Sequence, residues 1–335
     1  MTRRMTRRAF TRDLAALVGS LGLVCLPVAA YPQQPASQRR IGVILGSSSP
    51  ESEVAQAFRE GLRDAGYVEG RDVVIEWRSA NGDYARVPVL VADLVQRKVD
   101  VIVVSTTAAS LAVKRATSTI PIVMITGGDP VASSLFASLA HPGGNVTGLS
   151  FMTTDLAAKR LQLLKETIPR LTRAAVLSNP DTLWHAQVVQ DLKAVARSLS
   201  VELSSVSART PEEIGPAFSA VKRARAQALY VLDDPRFMAH RTTLVERASK
   251  ARLPTIFGLR QFVDEGGLMS YGANLSDLYR RSAGYVDKIL KGANPGDLPI
   301  EQPTKFELVV NLKAARALGI TIPESIMLQA DEVMR

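Results

Sequence analysis

Two doubly wound α/β lobes of similar design, each built on a parallel sheet, are predicted by the sequence. Three observations carry this: short β-branched runs without polar alternation, helical-period stretches between them, and a restart of the same alternation after Phe151. Strands that lack polar alternation belong to a sheet covered on both faces, and strand–helix–strand spacing means parallel order. The length of 335 residues also exceeds what a single core usually fills.

The elements follow in order. "IGVIL" (41–45) is the first strand, and "EVAQAFREGLRDAG" is a helix with Val54, Phe58, Leu62 and Ala65 on one face and Gly66 as its stop. Strands "VVIEW" (73–77), "VIVV" (101–104), "IVMIT" (122–126) and "NVTGLS" (145–150) complete the first sheet. The second lobe repeats the pattern: helix "LAAKRLQLLKETI", strand "AAVL" (174–177), helix "HAQVVQDLKAVARSL", strand "VELSSV" and helix "EEIGPAFSAVKRA". Strand "ALYVL" (228–232), helix "AHRTTLVERASKA", and strands "PTIFG" and "GGLMSYG" then follow.

Residues 1–30 read as a cleaved export signal, followed by a linker over 31–39. The leader has an arginine-rich start, the apolar run Leu14 to Ala30, and small residues at Val28-Ala29-Ala30 before the cut. The apolar run is shorter than the ~20 residues that span a bilayer. Thr6-Arg7-Arg8-Ala9-Phe10 fits the twin-arginine consensus, with Sec export as the alternative route. A periplasmic location is expected. Cutting after Ala30 removes the only cysteine, Cys25, and with it any thiol nucleophile or disulfide. Loss of the leader's five arginines and one aspartate takes the formal charge from +9 to +5. The remaining positive charge is dispersed over helix faces without aromatic interleaving, so no nucleic-acid partner is implied.

Ligands of open parallel sheets sit in the crevice beyond the carboxyl ends of the strands. Here those ends are polar: "GSSSP" (46–50) with Ser47 and Ser48, "STTAAS" (105–110) with Thr106 and Thr107, and "GGDP" (127–130) with Asp129 and Pro130. In the second lobe they are "SNP" (178–180) with Asn179 and "DDP" (233–235) with Asp233. Glycines after the fourth strand are expected to let backbone amides approach a ligand closely. Ser48, Thr106 and Asn179 suit helix caps as well as ligand contacts, and the two roles are compatible at a helix N-terminus. Of the acidic pair Asp233-Asp234, one is expected to cap and the other to be solvated. Trp184, opening a helix at the crevice edge, is the preferred ring contact over Tyr67, Trp77 and Tyr84. No phosphate loop, nucleophile elbow or dinucleotide fingerprint is present, and the three histidines are scattered, so neither catalysis nor a metal or other cofactor is implied.

"FREGLRDAGYVEGRDVVIEWRSANGD", "IPIVMITGGDPVASSL", "HPGGNVTGLS" and "EQPTKFELVVNLKAARALGITIP" resemble the periplasmic substrate-binding components of ABC importers of the tryptophan/tyrosine-binding type. The resemblance runs from about Arg40 to the C-terminus. It implies a type I periplasmic binding protein fold whose chain crosses between lobes near Leu149, Tyr271 and Glu307. Lobe 1 would then be 40–148 plus 272–306, and lobe 2 149–271 plus 307–335. The family's contact motifs fall on Ser47-Ser48, Thr106, Asp129-Pro130 and Asn179, with Asp233 at a strand end that often makes a polar contact. A monomer, a small-molecule ligand caught by hinge closure, and a membrane permease as partner are implied.

One departure bears on the ligand. Where amino-acid binders of the family commonly carry an aspartate, this sequence reads "IFGLRQFVDEGG", with Leu259 and Arg260. An Arg260 facing the crevice would suit a carboxylate, which points to a small organic acid, aromatic in character, rather than a zwitterion. The competing classes are a ligand-sensing module for a membrane signalling partner and an enzyme of doubly wound fold using Asp129 or Asp233.

Overall fold

The computed structural model describes residues 38–128, 135, 136, 138–303 and 305–335. The leader, most of the linker, Asp129 and Pro130 lie outside the described residues. The first sheet gathers β1 (Arg39–Leu45), β2 (Val73–Ser79), β3 (Val101–Ser105), β4 (Ile122–Thr126) and β5 (Val146–Ser150), with α1 (Glu53–Asp64), α2 (Val87–Gln96) and α3 (Thr107–Ala116) in the connections. The second part begins with α4 (Ala157–Thr167), β6 (Arg173–Ser178), α5 (His185–Ser198), β7 (Glu202–Ser207), α6 (Ile214–Arg223) and β8 (Ala228–Val231). It continues with α7 (Pro235–Ala239), α8 (Arg241–Lys250), β9 (Thr255–Phe257), α9 (Gln261–Asp264) and β10 (Met269–Gly272). After α10 (Leu275–Leu290) come β11 (Glu307–Asn311), α11 (Leu312–Leu318), α12 (Glu324–Gln329) and β12 (Glu332–Met334).

The first sheet runs β2-β1-β3-β4-β5, parallel throughout, with Ile41 opposite both Ile75 and Val101. Alternate residues of its strands feed two separate cores. Ile41, Val43 and Leu45 pack under α1 and α10, whereas Ile44, Ile102 and Val104 pack under α2 and α3. Burial of both faces explains why these strands carry no polar alternation. The second sheet runs β12-β11-β10-β9-β8-β6-β7, again with a core on each face. It is parallel except at β11, which pairs antiparallel with β10, Gly272 opposite Glu307. The reason lies in the chain path. The strand before it ends at the inter-sheet edge, the chain visits the first lobe as α10 packed on α1, and it re-enters the second sheet from that same edge, so it must run the other way.

The expected helix over 239–251 is α8, and a short helix not read from the sequence, α7, precedes it. His240, at φ −110° and ψ 25°, breaks α7 from α8, because Asp234-Pro235 starts a helix of its own. Helix α1 behaves as read: Val54, Phe58 and Leu62 are buried, Ala65 caps the end, and Gly66 at φ +93° gives the left-handed stop. Tyr67 then turns back to donate from its backbone to the Leu62 carbonyl at 2.8 Å.

Helices α1 and α10 approach closely at Gly61. A Cβ there would stand 2.8 Å from the Ala283 Cβ and nearer still to the Arg280 carbonyl oxygen. Gly61→Ala is therefore expected to lose about 1–3 kcal/mol through overpacking despite the better helix propensity of alanine. Urea unfolding, read as a lower midpoint at unchanged slope, checks it.

Candidate functional site: the inter-lobe cleft

The carboxyl ends of the strands of both sheets meet across one cleft. Its walls come from the loops after β1 (Gly46 to Ser48), β3 (Ser105 to Ala108) and β4 (Gly127) on one side, and after β6 (Asp181 to Trp184) and β8 (Asp233 to Pro235) on the other. The cavity between them measures about 120 Å3. Phe151, Trp184, Tyr84 and Tyr279 supply aromatic wall, and Val54, Met238, Leu259 and Leu275 aliphatic wall.

Of the sequence-derived candidates, Ser47, Ser48, Thr106, Thr107, Trp184 and Asp233 line this cavity. Thr106 is the N-cap of α3, its hydroxyl accepting from the Ala109 amide at 3.1 Å, and it adopts φ +140° to do so. Thr107 shares a buried 2.6 Å hydrogen bond with Thr126. Thr106 is therefore a helix cap and part of the cleft wall at once.

Asn179 is fully buried behind the wall. Its side-chain oxygen accepts from the Asp181 amide at 3.0 Å, and its Nδ2 donates to Asp234 at 3.0 Å, so it shapes the loop and steadies a carboxylate. Arg260 does not line the cavity, although its neighbour Leu259 does. Its guanidinium makes a forked pair with Glu332 of β12, at 3.0 and 3.3 Å, and also reaches Asp264. That pairing consumes the cation on which the organic-acid reading depended.

The acidic pair departs from expectation in a different way: neither member is solvated. Asp234 does cap α7, accepting from the Arg236 amide at 2.8 Å. Asp233, 6% exposed, pairs with Arg160 at 3.2 Å and accepts from the Thr153 hydroxyl at 3.0 Å. Arg160, 1% exposed, also donates to the Tyr271 carbonyl at 2.6 Å. Burial works against its charge, but the Asp233 carboxylate and the Tyr230 hydroxyl together outweigh that and hold the guanidinium above its ordinary value.

Tyr84, Thr182 and Asp234 were not among the preferred contacts, yet they line the cleft and bond to one another. Tyr84 donates to Asp234 at 2.8 Å and lies 3.2 Å from the Thr182 hydroxyl, itself 2.5 Å from Asp234. Burial, then the Asp234 charge, push the Tyr84 phenol well above its ordinary range, so it stays a donor. The available signal was its place in the loop after a strand. Trp77 instead packs edge-on against Phe58 under the Arg59 guanidinium, and Tyr67 against the α10 side of the core.

The glycines after β4 make room for the protein's own rings. A Cβ at Gly127 would lie 2.6 Å from Phe151, and one at Gly128 2.5 Å from Trp184. The sequence reading had these glycines admit a ligand; among the described residues the groups that approach them are side chains.

His185 ties two loops together. The Asn179 amide donates to Nδ1 at 2.9 Å, which leaves Nε2 as the protonated nitrogen donating to the Asp233 carbonyl at 3.1 Å. Burial pushes this imidazole below its ordinary value. Among the described residues, no cluster of three His, Cys, Asp or Glu could hold a metal ion, and no helix is long and apolar enough to cross a membrane.

Two α/β lobes whose polar strand ends enclose a single cleft define a ligand-binding protein of the type I periplasmic binding class. Residues 41–334 match the family described as ABC transporter substrate binding protein, and the chain belongs to that family. Such proteins bind small molecules and work with ABC permeases; they are not enzymes. The chain is 27% identical over 285 residues, 84% of its length and 81% of the relative's, to a tyrosine-binding protein of Clostridioides difficile. An ABC domain from Streptococcus pneumonia in complex with L-Trp superposes with a TM-score of 0.81 at 28% identity, covering 89% of this chain and all of that one. The ligand-free, open structure of a Clostridium difficile substrate-binding protein gives a TM-score of 0.64 at 25% identity, covering 88% and 99%.

Two outcomes are expected. Because the folded state holds His185 neutral below its ordinary value near 6.5, the unfolded chain takes up the proton first on acidification. The contribution is present above about pH 6.5 and is lost as pH falls below it; urea midpoints of wild type and His185→Gln from about pH 7.5 to 5.5 should show a slope that the variant lacks. Arg260→Ala should leave ligand affinity in calorimetric titration unchanged, because Glu332 and Asp264 are its partners.

Proposed function

We propose that the protein captures an aromatic amino acid in this cleft, by closure of the two lobes, and presents it to a membrane permease for import. The observation that supports the reading is the sign of the cleft. Asp181, Asp233 and Asp234 line it, and no lysine, arginine or histidine does so among the described residues. A bare organic anion would meet repulsion there, whereas a ligand ammonium would find carboxylates in a site of low dielectric. The ligand carboxylate then belongs at the opposite wall, where the first-turn amides of α3 and the hydroxyls of Ser47, Ser48 and Thr106 collect. Between the two poles, Trp184 and Phe151 offer ring faces to an aromatic side chain. The tyrosine and tryptophan named for the relatives fit this division. The twin-arginine or Sec leader over 1–30 and a periplasmic working place complete the proposal.

Calorimetric titration tests it with L-tryptophan, L-tyrosine and L-phenylalanine against the corresponding deaminated acids and decarboxylated amines. The amino acids should bind, and each analogue lacking one pole should be weaker. Asp233→Asn should cost the amino acids about 1.5–3 kcal/mol, as for a charged hydrogen bond, and should also lower the urea midpoint, because it leaves the buried Arg160 guanidinium without its counter-charge. Tighter binding of the deaminated acids than of the amino acids would overturn the assignment.

A further inference from the structure

The lobes also touch each other directly, at the cavity wall through Tyr84 and Asp234 and beyond it through Gly82 and Arg236. The loop after β2 carries Gly82 and Tyr84, and it rests on the first turn of α7. We propose that this loop and that turn form a latch which favours closure through protein contacts, so that Gly82 and Arg236, which stand outside the cavity wall, raise the affinity for every ligand by one common factor.

Three contacts make the latch. Tyr84 donates across the gap to Asp234 at 2.8 Å, into a carboxylate that Asn179, Thr182 and the Arg236 amide already hold from its own lobe. When the lobes part, Asp234 keeps those three donors, so opening breaks the Tyr84 bond without stranding a buried charge. The Arg236 guanidinium lies 5.2 Å from the centre of the Tyr84 ring and donates through Nε to the Gly82 carbonyl at 3.3 Å, while Asp181 at 3.7 Å steadies it from its own side. Gly82, at φ +74°, comes so near α7 that a Cβ would stand 2.9 Å from both the Ala239 Cβ and the Arg236 Cα. The approach requires a glycine twice over, for its left-handed backbone and for the missing side chain. Neither Gly82 nor Arg236 lines the cavity, so their effect on binding must pass through the lobe equilibrium.

If only the closed arrangement binds tightly, apparent dissociation constants scale inversely with its population. Tyr84→Phe should then weaken all ligands by about 10- to 150-fold, the loss of one hydrogen bond to a charged group. Gly82→Ala, a wedge in the contact, and Arg236→Ala should weaken them in the same direction, with the ratios between ligands unchanged.

Only the effect on affinity rests on the cleft being the ligand site, and the test separates the two. Spin labels at Val89→Cys and Lys250→Cys, exposed on opposite lobes, in a Cys25→Ser background would report inter-lobe distances in the free protein by pulsed electron resonance. Wild type should show a short-distance population that Gly82→Ala and Tyr84→Phe deplete. Identical distributions in wild type and both variants would overturn the latch. So would a changed order of ligand preference in Gly82→Ala or Arg236→Ala, since that would mean these residues read the ligand. If the variants shift the distances and no aromatic amino acid does, the latch stands and the ligand assignment fails.

Discussion

A buried ion pair between Arg160 and Asp233 is the constraint on which the rest of the site depends. A guanidinium 1% exposed cannot remain charged without close compensation, and Asp233, at the end of β8, supplies it. The same guanidinium holds the carbonyl of Tyr271 in β10, and the carboxylate holds Thr153 just after β5. One pair therefore ties the segment after β5 and the end of β10 to a carboxylate at the cleft wall. Glycine at 258 and 272 is part of that arrangement, since a side chain at either would intrude on the Asp233 carboxylate or on the Gly258 carbonyl beside Arg160.

Pairing inside the protein also decides what the cleft can attract. The cations nearest to it are spoken for: Arg160 by Asp233, Arg260 by Glu332, Arg236 by Asp181 and the Tyr84 ring. Two of the partner carboxylates, Asp233 and Asp181, stand at the cavity wall together with Asp234, whereas none of these three arginines does. The net positive charge of the chain as a whole is thus a poor guide to its binding site, because most of it lies on exposed helix faces that water screens.

The second organising feature is how closely the lobes fit. Gly127 and Gly128 admit the Phe151 and Trp184 rings, and Gly82 admits the first turn of α7. Direct contact of this kind narrows the free energy that a ligand must supply to hold the lobes together. The higher TM-score with the L-Trp complex than with the open, ligand-free relative accords with lobes in contact.

The sequence by itself determined the architecture, because it is written in local signals. Apolar runs such as Ile122–Thr126 without alternation can only be strands covered on both faces, and strand ends such as "GSSSP" and "STTAAS" mark one edge of a parallel sheet. Ser47, Ser48, Thr106, Thr107, Trp184 and Asp233 were legible on that ground alone. Tertiary structure alone decided which polar groups are already satisfied. Arg260 is neutralised by Glu332, 72 residues away, Asn179 serves Asp234, 55 residues on, and Tyr84 meets Asp234 across 150 residues. Such pairings depend on through-space distance between distant segments, and neither periodicity nor turn chemistry encodes that distance.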